Sequence, residues 1–178
     1  AELRDKLTFL QNAIGSVASP FDSYLTLRGM KTLALRMERH QSNALAVAHF
    51  LKDHPAVAEV FHPGLPEHPG FEIQNRQASG NTGIFSFKLK DARYVEPLLR
   101  HVRLIAFAES LGGVESLMTY PAVQTHADIP VEIRDAVGVD DRLLRFSVGI
   151  EHVNDLIADL GNALEAARAE VEEAVSQQ

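Results

Sequence analysis

Gly80-Asn-Thr-Gly-Ile-Phe-Ser-Phe-Lys-Leu-Lys90 is the stretch on which the fold turns. Phe85, Phe87 and Leu89 fall on one side of an extended chain, and Thr82, Ser86 and Lys88 on the other. This period of two marks a strand with one buried and one polar face. Downstream, residues 92–101 read as a helix, Leu104–Phe107 as a short strand and Pro130–Val137 as a helix capped by Asp128. Leu143–Val148 is a further strand. A last helix starts near Asn154, buries Leu156, Ile157, Leu160 and Leu164, and runs into an acidic tail expected to fray.

Upstream of the central strand, Val57–Phe61 is a strand candidate, followed by the Pro- and Gly-punctuated loop 62–70. Leu3, Leu7, Leu10 and Ile14 recur at helical spacing over residues 1–14. Ser19-Pro20-Phe21-Asp22 is a helix start: Ser caps free N–H groups, Pro suits the first turn, and Asp22 completes a box-like pattern. Apolar residues from Leu27 to Leu51 then keep a helical period as far as His54-Pro55. One helix of about 30 residues, roughly 45 Å long, is expected there. That exceeds the needs of a compact domain of this size, so its apolar stripe is expected to pack on further protein. The fold class is therefore α+β, a mostly antiparallel sheet with helices on one face, preceded by a long helix. A helical segment 1–55 and an α+β domain 56–178 are the expected divisions.

Composition narrows the function. Lys and Arg total 17 against 24 Asp and Glu, for a net charge of -7, and the cations are scattered. Nucleic-acid binding draws on clustered cations and is not expected. No apolar run approaches the roughly 20 residues that span a bilayer. Cysteine is absent, which excludes disulfides and thiolate metal sites and fits a reducing cytoplasm. The N-terminal Ala-Glu-Leu-Arg-Asp-Lys has neither an initiating Met nor a signal-peptide pattern, and a start within a longer protein is expected.

Neither phosphate-cradling glycine loop, GxGxxG or GxxxxGK[ST], is present, nor are the HExxH and GxSxG motifs. His62 and His68 lie in the 62–70 loop without a third ligand at fixed spacing, and no metal site is expected. Two segments carry more promise. Phe107-Ala-Glu-Ser-Leu-Gly-Gly113 ends a strand in polar residues and two glycines that let the backbone turn sharply and approach a ligand closely. Leu143-Leu-Arg-Phe-Ser-Val-Gly149 puts Arg145 and Ser147 on the face opposite Leu144, Phe146 and Val148. A guanidinium in an apolar strand needs a partner. An internal carboxylate, or a ligand carboxylate or phosphate matching the bidentate geometry of Arg, would serve equally.

Three stretches, SPFDSYLTLRGMKTLALRMERHQSNA (19–44), SLGGVESLMTYPAVQTHA (110–127) and LLRFSVGIEHVNDLIADL (143–160), resemble the cystathionine gamma-synthase and gamma-lyase family of Cys/Met metabolism. These are enzymes dependent on pyridoxal phosphate (PLP). The resemblance implies the C-terminal domain of a fold-type I PLP enzyme. It implies that Arg145 receives the substrate α-carboxylate, that Ser110 lies beside the cofactor lysine and the substrate, that Glu109 selects the distal part of the substrate, and that Thr125 sits near the same pocket. It further implies an enzyme that breaks or exchanges a C–S bond of an amino acid such as cystathionine, with PLP as electron sink, in a cytoplasmic homotetramer.

The family's Schiff-base lysine, the ring stacked on its cofactor and the Asp paired with the pyridine nitrogen have no counterpart here. Lys6, Lys31, Lys52, Lys88 and Lys90 all lie outside the family's lysine motif. These residues alone are thus expected to hold no cofactor, to contain no catalytic residue and to be inactive without the cofactor domain. A non-enzymatic amino-acid-binding or oligomerisation module is the other reading.

Overall fold

In the computed structural model, which describes residues 2–177, the central alternation is realised as a strand, Ile84–Leu89. The chain forms two compact units, Ala1–Leu35 and Arg36–Gln178. The first holds α1 (Glu2–Ile14) and α2 (Pro20–Met30). Ser19 caps α2: its Oγ accepts the Asp22 N–H at 3.1 Å and donates to the Asp22 carboxylate at 2.7 Å.

The expected single long helix is two, because α3 (Leu33–Lys52) starts anew after a break at Lys31 and Thr32. There the backbone closes i to i+3 bonds, Lys31 N to Arg28 O and Thr32 N to Gly29 O, and the Thr32 hydroxyl also donates to Gly29 O. A glycine of low helix propensity, followed by a hydroxyl that competes for its carbonyl, favours a break that hydrophobic periodicity does not register. His40, Asn43, Ala44, Val47, Ala48 and Leu51 of α3 are buried, the apolar ones in the core of the second unit.

That unit continues through β1 (Val57–Phe61), a short α4 (Phe71–Gln77), β2 (Ile84–Leu89), and a 3-10 turn leading into α5 (Val95–His101). It closes with β3 (Ala106–Phe107), β4 (Leu117–Thr119), α6 (Val131–Ala136), β5 (Leu143–Ser147) and α7 (Val153–Ser176). The sheet order is β1-β2-β5-β4-β3, antiparallel except for the parallel pair β3 and β4. Phe85, Phe87 and Leu89 of β2, Leu144 and Phe146 of β5, and Met118 of β4 share one core with Leu51 of α3, Leu98 of α5, and Leu156, Leu160 and Leu164 of α7. Helices thus cover this face, while Ser86, Thr119, Arg145 and Ser147 line the other in paired register. Because β3 and β4 run parallel, no tight turn can join them, and residues 108–116 must cross back over the end of the sheet. The Glu109–Gly113 segment rides on that crossing.

Smaller departures from expectation have local causes. The strand begins at Ala106 instead of Leu104 because the Asp159 carboxylate takes the N–H groups of Arg103, Leu104 and Ile105 at 2.9–3.2 Å. Asp128 does not cap α6; Pro130 occupies the cap position with no side-chain hydrogen bond, and Asp128 lies two residues too early to reach the first turn. Ile157 is only half-buried. The acidic tail stays helical to Ser176, where Arg168 pairs with Glu165 and Glu172 at helical spacing, and the Ser176 hydroxyl donates to the Glu172 carbonyl.

Candidate functional site

Arg145 sits mid-strand in β5, directly opposite Ser86 of β2 on one side and Thr119 of β4 on the other. Its Nη2 donates two hydrogen bonds of 2.9 Å, to the Glu109 carbonyl and to the Thr119 hydroxyl. The buried Nε has no hydrogen-bond partner, and Arg145 forms no ion pair among the described residues. The internal carboxylate that would have explained this guanidinium is thus not supplied. The Nε is an orphaned donor on a fixed cation, a buried unsatisfied group of the kind that calls for an explanation.

The crossing segment is fixed to the same strand. The Gly112 N–H donates to Ser147 Oγ at 2.9 Å, with Gly112 at φ +76°, a conformation that favours glycine. Two residues on, the backbone N–H of Ile150 donates to the Val114 carbonyl. Glu151 completes the anchorage: its carboxylate accepts from Ser116 N at 2.6 Å and from Ser116 Oγ at 2.9 Å, while Gly149 N donates to Ser116 Oγ at 2.8 Å. From α3, the Asn43 amide donates to the carbonyls of Gly149 and Glu151, and His40 Nδ1 lies 2.7 Å from the Val148 carbonyl. Ser147, Gly149 and Glu151 of the Arg-Phe-Ser-Val-Gly-Ile-Glu run therefore hold the loop beside Arg145.

The other candidates divide. Glu109 reaches Arg145 through its main-chain carbonyl, and its side chain is exposed. Ser110 follows it on the exposed rim of the same crossing. Thr125 is exposed in the turn 121–128, its hydroxyl 2.8 Å from His126 Nδ1, and no hydrogen bond joins it to Arg145 among the described residues. Sequence reasoning missed Thr119, which is 1% exposed, and Arg134, which is 7% exposed. Arg134 donates to the Ala122 carbonyl and to Asp141, both at 2.7 Å, tying α6 to the turn. Burial beside Asp141 raises the Tyr120 phenol above its ordinary value, and its hydroxyl donates to the Asp141 carbonyl. A polar residue ending a three-residue strand gives no periodic signal, which is why Thr119 escaped.

His62 and His68 serve turns. In both His-Pro-Gly runs the ring Nδ1 accepts the N–H two residues on, Gly64 at 2.9 Å and Gly70 at 3.0 Å, as His54 does for Ala56. Among the described residues, no group of three potential ligands could hold a metal. Lys6, Lys52 and Lys88 pair with Glu2, Glu67 and Asp140. A pocket of ≈120 Å³ beside Ser147, lined among others by His40, Thr82, Gly83 and Gly112, is smaller than the roughly 300 Å³ of ordinary ligand sites.

A family model described as Cys/Met metabolism PLP-dependent enzyme matches residues 1–165. Cystathionine gamma-lyase of Dictyostelium discoideum is 53% identical over 165 residues, covering 92% of this chain and 43% of that protein. Cystathionine beta-lyase of Lactococcus lactis subsp. cremoris is 50% identical over 164 residues, covering 92% and 43%. Among solved structures, cystathionine gamma synthase of Xanthomonas oryzae pv. oryzae in complex with cystathionine superposes with a TM-score of 0.88 at 45% identity, covering 95% of this chain and 44% of that one. The chain spans less than half the length of the relatives it matches. With its fold and its sequence in agreement, this chain belongs to the PLP-dependent enzymes of Cys/Met metabolism.

Proposed function

We propose that this chain supplies the substrate-carboxylate side of a PLP-dependent transsulfuration site acting on the C–S bond of an amino acid such as cystathionine. The observation that carries the reading is the Arg145 guanidinium, fixed through Nη2 to two protein oxygens and left with a buried, unpartnered Nε. Ser147 and Glu151 hold the 110–116 segment against the same strand, so Ser110 and the Glu109 side chain form the rim of the seat, with Thr125 further out. These residues bind and orient. Bond making and breaking, with the cofactor's lysine, belong to parts of the enzyme outside this stretch, and these residues alone would be inactive. The relatives' names support the chemistry: lyases and synthases acting on cystathionine, one crystallised with cystathionine itself.

Assembly belongs to the same proposal. Leu3, Leu7, Leu10 and Ile14 of α1 form a stripe, each more than half exposed, and such a stripe is normally covered by other protein. In this reading it packs against the remainder of a homo-oligomeric enzyme.

In the full-length enzyme, Arg145→Ala is expected to weaken amino-acid binding roughly ten- to a hundredfold, the range for a lost charge-assisted bond. The cofactor's visible absorption band should persist. Unchanged affinity, or loss of that band, would overturn the assignment.

A further inference from the structure

Arg145 can bind a carboxylate productively only if its guanidinium is held at one orientation, and the fold holds it through a single side chain. Thr119 is 1% exposed and directly opposite Arg145 in the β4 and β5 register. Its hydroxyl accepts from Arg145 Nη2 at 2.9 Å and donates to the Ala108 carbonyl at 2.8 Å. Ala108 is itself fixed to β4, since its N–H donates to the Met118 carbonyl at 3.0 Å. The other acceptor for Nη2 is the Glu109 carbonyl, one residue further along.

From this geometry we infer that Thr119 is the positioning residue of the carboxylate seat. Because its proton is committed to Ala108, its lone pairs face the guanidinium, and only a hydroxyl can donate and accept at that one atom. The link fixes Nη2 against the protein and so sets the plane in which the rest of the guanidinium meets the ligand. It also locks the guanidinium to residues 108 and 109, so the group that grips the carboxylate and the Glu109 rim move as one body. A valine of the same shape would leave both Nη2 and the Ala108 carbonyl short of a partner, and the guanidinium could swing.

This inference rests on the carboxylate role of Arg145, and its test separates the two. In the full-length, cofactor-loaded enzyme, dissociation constants for L-alanine and for ethylamine, its counterpart without the carboxylate, are read from the change in cofactor absorption. Thr119→Val should weaken L-alanine about tenfold (about 1.4 kcal/mol) and leave ethylamine within about twofold, with KM raised more than kcat is lowered. Thr119→Ser should restore the wild-type values. Equal losses for both ligands, or no rescue by serine, would reduce Thr119 to a packing residue and overturn the inference. If Arg145→Ala also failed to discriminate between the two ligands, the carboxylate assignment itself would fall, whatever Thr119 does.

Discussion

At the residue scale, the Arg-Phe-Ser-Val-Gly-Ile-Glu run divides its labour. Arg145 donates to the Glu109 carbonyl and the Thr119 hydroxyl, Ser147 and Glu151 tether the crossing loop, and Gly149 lets the two backbones touch. A Cβ on Gly149 would lie 2.3 Å from the Val114 carbonyl oxygen and 2.6 Å from the Glu115 carbonyl carbon, both main-chain atoms that cannot rotate away. Gly149→Ala is therefore expected to destabilise the fold by about 1–3 kcal/mol, the usual range for overpacking, and to shift the 114–116 segment off β5. A lower urea midpoint with an unchanged denaturant slope is the expected result, and a midpoint equal to wild type would show that the loop yields at no cost.

At the element scale, α5 and α7 are pinned at their exposed edge by one carboxylate. Glu170 lies 2.5 Å from His101 Nε2 and 2.8 Å from Arg100 Nη2. The hydrogen bond from His101, then that from Arg100, holds Glu170 below its ordinary value. A carboxylate depressed in this way contributes above its unfolded pKa, near 4.5, and loses that contribution as pH falls through the lower folded value. Glu170→Gln should thus lower stability at pH 7 slightly and approach wild type near pH 3. Thermal melts at both pH values, at low salt, would show it, and an equal loss at both would assign Glu170 a packing role instead.

The same scale explains what was legible in the sequence. Strand β2 could be read because it buries alternate residues along its whole length, β5 because it is an apolar run, and α7 because Leu156, Leu160 and Leu164 recur at helical spacing. The break between α2 and α3, the short β4 and the helix α4 could not. Their causes are single contacts, such as the Thr32 hydroxyl on Gly29 O, or pairing with a strand far away in sequence. The site divides likewise: Arg145 announces itself as a charge in an apolar strand, whereas Thr119 acquires its meaning only from the strand laid beside it.

At the scale of the whole molecule, acid should loosen the fold from within, through histidines used as turn caps. His54 and His62 each accept a backbone N–H at Nδ1, from Ala56 at 3.2 Å and from Gly64 at 2.9 Å. Protonation would put a hydrogen where that bond is accepted. Burial holds both rings below the ordinary 6.5, His54 despite the nearby Glu165. The folded state therefore binds fewer protons than the unfolded one between the lowered values and 6.5. Stability is complete above about pH 6.5 and declines as pH drops through that window. His62→Asn isolates the effect, because an Asn side-chain oxygen can accept the same N–H two residues on without titrating. Urea midpoints of the wild type should fall between pH 7.5 and pH 5, and those of His62→Asn should fall less steeply, whatever its absolute stability. Identical slopes for the two would mean that His62 stays neutral across the range and that the acid sensitivity lies elsewhere.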